Sequence, residues 1–144
     1  MSKKKRYLKR FTNWLFNEYQ VPRIPVRIMY NCDTIVDNGT TCYGYFGDDN
    51  AETVILVAAK KLGLFKCMCV VAHEFVHYMQ KLNGRNMEEN EIIEEDAYMF
   101  EKALVGKYLI NHKHIGEKID TILDVSVPVR LLDRTKKEAE GRNA

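Results

Sequence analysis

A chain of 144 residues with 46% apolar and 29% charged side chains is the size of one domain and excludes intrinsic disorder. It has no run of eighteen apolar residues, which excludes a membrane-spanning helix and gives no reason to expect a membrane partner. Six of its cations (Lys3, Lys4, Lys5, Arg6, Lys9, Arg10) fall in the first ten residues, and the other 134 carry −4 (16 basic against 20 acidic). A polyanion binder would be basic throughout, so any nucleic-acid contact is confined to the N-terminal arm.

That basic start does not open a secretory signal, because Lys9-Arg10 interrupts the apolar run at Tyr7-Leu8. The expected localisation is cytoplasmic, where thiols stay reduced. The first 3–20 residues predict an amphipathic helix, with Tyr7, Phe11, Trp14/Leu15 and Tyr19 at helical spacing and lysines on the other face. Pro22 and Pro25 end it. Three strands are predicted next, over 26–30, 40–46 and 53–57, separated by turn residues such as Asn38-Gly39 and Gly47-Asp48-Asp49-Asn50. They imply a small antiparallel or mixed three-stranded sheet, with 53–57 as the edge strand that would pair with an extended substrate.

The period then changes. Residues 61–82 place Leu62, Phe65, Cys69, Ala72, Val76 and Met79 at three- and four-residue steps, predicting a mostly buried helix that Asn83-Gly84 stops. Cys32, Cys42, Cys67 and Cys69 lack the C-x-x-C steps of a structural zinc site, and the last two sit in an apolar run as small hydrophobes. A second helix is expected over 87–109, with Ile92, Ile93, Met99, Ala103 and Leu104 inward. Its acidic start (Glu88, Glu89, Glu95, Asp96) reads as a solvated first turn suited to the helix dipole. A shorter helix over 114–123, an extended stretch over 125–132 and a charged, frayed tail over 134–144 complete the reading. The fold class is therefore α+β, one domain over 1–133 with a charged tail.

The chemistry is carried by His73-Glu74-Phe75-Val76-His77, an H-E-x-x-H inside the first buried helix. Residues four apart lie about 40° apart around a helix, so both imidazoles leave one face and can reach one metal ion at about 2.0–2.1 Å. Glu74 is turned away from easy ligation but suited to hold a water, the general-base position of a zinc peptidase. Chance would produce the bare motif in about one sequence in a hundred of this composition. Three titratable groups in an otherwise apolar helix would cost several kcal/mol to bury without a partner.

A hydrolytic zinc needs a third protein ligand and one open position. Gln80 and Asn83 stand where metzincins need glycine and histidine. If the turn centres between Arg85 and Asn86, antiparallel helices pair residues whose numbers sum to about 171, which sets His77 level with Glu94 and His73 level with Tyr98. Glu94 is thus the expected third ligand, with Glu95 and Glu91 as fallbacks. Glu101 falls off level. Tyr98, on the face of Glu94, is the first candidate for a catalytic oxyanion donor, followed by His112 and His114.

One helix, a three-strand sheet, an H-E-x-x-H helix and then a helix bearing Glu94-Glu95-Asp96-Ala97-Tyr98-Met99-Phe100 resembles the ImmA/IrrE family of small intracellular gluzincin metallopeptidases, over about residues 5–110. The resemblance implies one zinc ion per chain on His73, His77 and Glu94, with Glu74 catalytic. It also implies a protein or peptide substrate, a transcriptional regulator among the candidates. Tyr98 stands where that family often has asparagine. SprT-like proteases are less similar, since they use a histidine as third ligand and the next one here is His112. Two alternatives accompany the peptidase reading: a non-catalytic zinc-containing binding module, and a DNA-associated protease-like factor using the basic N-terminal helix.

Overall fold

The computed structural model describes residues 2–88 and 90–112. The expected helix over 114–123, the extended stretch over 125–132 and the charged tail lie outside them. The fold is α+β: the described residues form three helices, a three-stranded mixed sheet and a separate two-stranded hairpin.

Helix α1 spans Lys3–Tyr19, and the Ser2 hydroxyl caps it by accepting from the Lys5 N–H at 3.2 Å. It ends at Gln20, which turns left-handed (φ 51°) ahead of the two prolines. Tyr7, Leu8, Phe11, Leu15 and Phe16 form its buried stripe. Phe11 meets Tyr108 edge-on at 5.0 Å, and Phe16 meets Phe75 at 5.1 Å, so α1 backs both later helices. Of its cations, Lys4 is half-buried, and its ammonium donates to the carbonyls of Ala59 (2.8 Å) and Leu62 (2.6 Å).

Among the described residues five strands form instead of three. They are β1 (Val26–Met29), β2 (Ile35–Asp37), β3 (Thr40–Cys42), β4 (Gly44–Asp49) and β5 (Glu52–Ala58). The single strand expected over 40–46 is broken at Tyr43 into β3, which pairs back on β2, and β4, which joins the main sheet. Sheet order is β1-β5-β4, with β1 parallel and β4 antiparallel to β5. This corrects the edge assignment: β5, which contains 53–57, is central, and β4 is an edge. Val54, Ile55, Val57 and Ala58 are fully buried, as a strand covered on both faces requires.

Helix α2 spans Leu64–Leu82 and α3 spans Asn90–Asn111, each starting three residues later than expected. The two pack against each other, with α1 and the sheet behind them. Asp96 is not part of a solvated first turn. It is buried and held by the Arg85 guanidinium at 3.0 Å, which ties the α2–α3 connection to α3. Ile92 and Met99 also differ from expectation, being exposed and half-buried, while Ile93, Ala103 and Leu104 fill the core. All four cysteines are free, with Cys67 buried and burial pushing the Cys69 thiol up to about 12. Among the described residues no helix is long and apolar enough to cross a membrane.

Candidate metal centre

Helix α2 brings His73 and His77 to one face, one turn apart. Their rings meet edge-on with centroids 4.7 Å apart, and their Nε2 atoms are 3.2 Å apart. Glu94 reaches across from α3. Its Oε1 lies 2.7 Å from His77 Nε2 and its Oε2 lies 3.1 Å from His73 Nε2. Helix pairing thus sets Glu94 against both imidazoles, while Glu91 and Glu95 stay exposed on other faces of α3.

The second ring nitrogen of each histidine has its own oxygen. His73 Nδ1 lies 3.3 Å from Glu101 Oε1, and His77 Nδ1 lies 2.8 Å from Gln80 Oε1. The Gln80 amide nitrogen donates to the Ile93 carbonyl at 3.1 Å, which fixes that amide with its oxygen towards His77. In the tautomer that puts each Nδ1 proton on its oxygen, each Nε2 presents a lone pair, the form that binds a metal. In that form two lone pairs and a carboxylate lie 2.7–3.2 Å apart, an arrangement that a cation among them would stabilise. Tetrahedral coordination with bonds of about 2.0–2.1 Å would separate three such donors by about 3.3–3.4 Å, close to what the side chains adopt. Two imidazole nitrogens and one carboxylate oxygen are a donor set that suits zinc with a fourth position open.

Glu74 follows His73 and points beside this group. Ligand atoms of His73, Glu74 and His77 all lie within 4.8 Å of one another, yet Glu94 comes closer to both nitrogens, so Glu94 is the better third donor. The Glu74 side chain is buried, with no hydrogen bond to it among the described residues. Burial pushes its carboxyl up to about 7; His73 pulls it back, and the charges of Glu94, Glu101 and Asp37 add to the rise. Burial lowers His77. It would lower His73 too, but the Glu101 hydrogen bond and the charges of Glu74, Glu94 and Glu101 outweigh it and leave that imidazole above its usual value.

These groups floor a cavity of about 460 Å³, walled by Gly44–Phe46 of β4, the β2–β3 hairpin and Tyr98. Tyr98 is 61% exposed, with its ring 4.7 Å from that of His73. His73, Glu74, His77, Glu94 and Tyr98 therefore converge. His112 does not: its Nδ1 donates to the Tyr108 carbonyl at 2.9 Å and its ring stacks on Tyr108 at 4.1 Å, away from the cavity. His114 lies outside the described residues. Sequence reasoning missed Glu101 and Gln80. Glu101 is seven residues after Glu94, hence on the same face of α3, and the spacing was visible. Level-matching set it aside because it asked only which carboxylate could reach the metal position, not which could reach an Nδ1. No known protein family, curated protein or solved structure matches this chain.

Proposed function

We propose that the protein is a zinc-dependent peptidase of the gluzincin kind, acting on a protein or peptide substrate in the cytoplasm, and that its resemblance to the ImmA/IrrE family reflects kinship. The reading is carried by one observation: Glu94 closes on the Nε2 atoms of two imidazoles that are oriented from behind by Glu101 and Gln80. Zinc held there supplies Lewis acidity and lowers the pKa of a bound water towards about 7.

The chain's own residues do the rest. Glu74 is buried beside the donor set, and burial raises its carboxyl towards neutrality, which suits a group that both accepts and returns a proton. It takes a proton from the attacking water as the water oxygen bonds to the scissile carbonyl carbon. It then delivers that proton to the amine as the C–N bond breaks. The Tyr98 hydroxyl donates to the developing oxyanion; burial and the surrounding carboxylates raise its pKa, so it stays protonated. An extended substrate pairs with the outer edge of β4, which no strand among the described residues occupies.

Metal analysis of the purified full chain tests this. About one zinc per chain is expected, lost in His77→Ala and kept in Glu74→Gln, with peptide cleavage abolished in both. Absence of zinc from the unaltered protein, or zinc content unaffected by His77→Ala, overturns the reading. Undiminished biological activity in Glu74→Gln would turn it into a metal-held binding module.

A further inference from the structure

Four carboxylates line the cavity, from Asp37, Glu74, Glu94 and Glu101, and none of its lining residues is a lysine or arginine. Three are committed: Glu94 to the two Nε2 atoms, Glu101 to His73 Nδ1, and Glu74 to the proton it handles. Asp37 is not. Among the described residues its carboxylate forms no ion pair and no hydrogen bond, and it belongs to a different element from the donor set. Their roles at the donor set account for the first three and leave Asp37 unexplained. Even with Glu74 protonated, three carboxylates against a divalent cation leave the cavity net negative. Lys81, whose ammonium lies 5.8 Å from the centre of the Phe46 ring, is not part of the lining.

The backbone fixes where Asp37 stands. It ends β2 and pairs with Thr40 across the two-residue turn Asn38-Gly39, whose φ values of 50° and 76° are those of a type I′ hairpin turn. Asp37 is thus held at the cavity mouth by a rigid turn. Tyr43 and Tyr98, 44% and 61% exposed, present aromatic surface in the same lining. An aliphatic stem ending in a cation matches all three: the stem lies along tyrosine rings, and the charged head meets a carboxylate that has no other partner.

We propose that this cavity selects peptide segments carrying a lysine or arginine near the bond to be cut, with Asp37 as the residue that recognises the cation. The proposal rests on the peptidase reading of the site, and the test separates the two. The probes are labelled peptides of about twelve residues, identical except for lysine, glutamine or glutamate walked through the positions; cleavage by the zinc-loaded full chain is followed by mass, and binding to zinc-loaded Glu74→Gln by fluorescence anisotropy. At one or two positions lysine is expected to beat glutamine by about five- to tenfold, and glutamate to fall below glutamine, in both readouts. In Asp37→Asn, which suits the same turn, the lysine-to-glutamine ratio falls to about one, and Asp37→Lys inverts the order. Cleavage with no charge preference, or a preference that survives Asp37→Asn, overturns the recognition and leaves the peptidase reading standing. Charge-selective binding that Asp37→Asn abolishes, with no cleavage of any peptide, sustains Asp37 as the recognising residue and overturns the peptidase reading instead.

Discussion

His73 and His77 each set Nδ1 against an oxygen, and that contact aims the opposite nitrogen at Glu94. The two oxygens differ in kind. Gln80 is neutral and is itself anchored to the Ile93 carbonyl, so it orients His77 without adding charge. Glu101 is a buried carboxylate, so it both orients His73 and makes its Nε2 a stronger donor. Glu101→Gln keeps the volume and an accepting oxygen while removing the charge. We expect it to weaken zinc binding by about 10–100-fold with little change in fold, read by competition against a chelator of known affinity. Equal affinity in the variant would mean that Glu101 merely fills space. The same substitution leaves Glu94 in place, so a complete loss of metal would point to misfolding and would show in the circular dichroism spectrum.

β4 and α2 touch where the site needs them to. A Cβ on Gly44 would stand 2.7 Å from Val70 Cγ1 and 2.9 Å from Glu74 Cγ, both closer than packed carbons allow. Gly44→Ala must therefore push β4 off the helix or swing Glu74 out of its buried position. The expected result is a fall in cleavage rate of tenfold or more with zinc still bound, since neither histidine nor Glu94 is touched; full activity would show that the strand yields at no cost. The other end of β4 gives a second test. Asp49 pairs with Glu52 across Asn50-Ala51, and Ala51 is left-handed (φ 64°), a conformation that costs a side-chain-bearing residue about 1 kcal/mol. Ala51→Gly should raise the melting temperature by about 3 °C, and a decrease would contradict this turn geometry. The helices were legible because each repeats its apolar spacing over several turns, as α1 does from Tyr7 to Phe16. β2 was not, because Ile35–Asp37 is too short to show a period. The break at Tyr43 is marked in the sequence only by Gly44 just after it, inside an otherwise strand-like run, and it is the pairing partners on either side that reveal it. β5 was misread as an edge although its unbroken apolar run, Val54 to Ala58, is the mark of a central strand. Asp96 looked like one more acid in an acidic turn, because its partner Arg85 comes from the connection that precedes the helix.

The donor set straddles the α2–α3 interface, so a metal bound there would couple binding to folding. α1 backs both helices through Phe11, Phe16, Phe75 and Tyr108, and the buried Arg85–Asp96 pair closes the connection. On the cavity side these helices meet through two imidazoles and a carboxylate, which repel once both Nε2 atoms are deprotonated. A cation there joins His73 and His77 to Glu94, and anything that binds the folded state alone stabilises it by mass action. Saturating zinc, at 100 to 1,000 times its Kd, should add about 3–4 kcal/mol to the metal-free full chain, a rise of roughly 10 °C in melting temperature. Glu74→Gln should show the same rise, since that carboxylate is not a donor. His77→Ala should show almost none. Glu94→Gln separates the coupling from ordinary helix packing. It removes the charge facing the two nitrogens, so without metal it should melt no lower than the unaltered protein, yet it should lose most of the zinc-induced gain. A zinc-induced rise of equal size in His77→Ala would place the stabilising metal elsewhere on the chain, and the metal centre described here would fall with it.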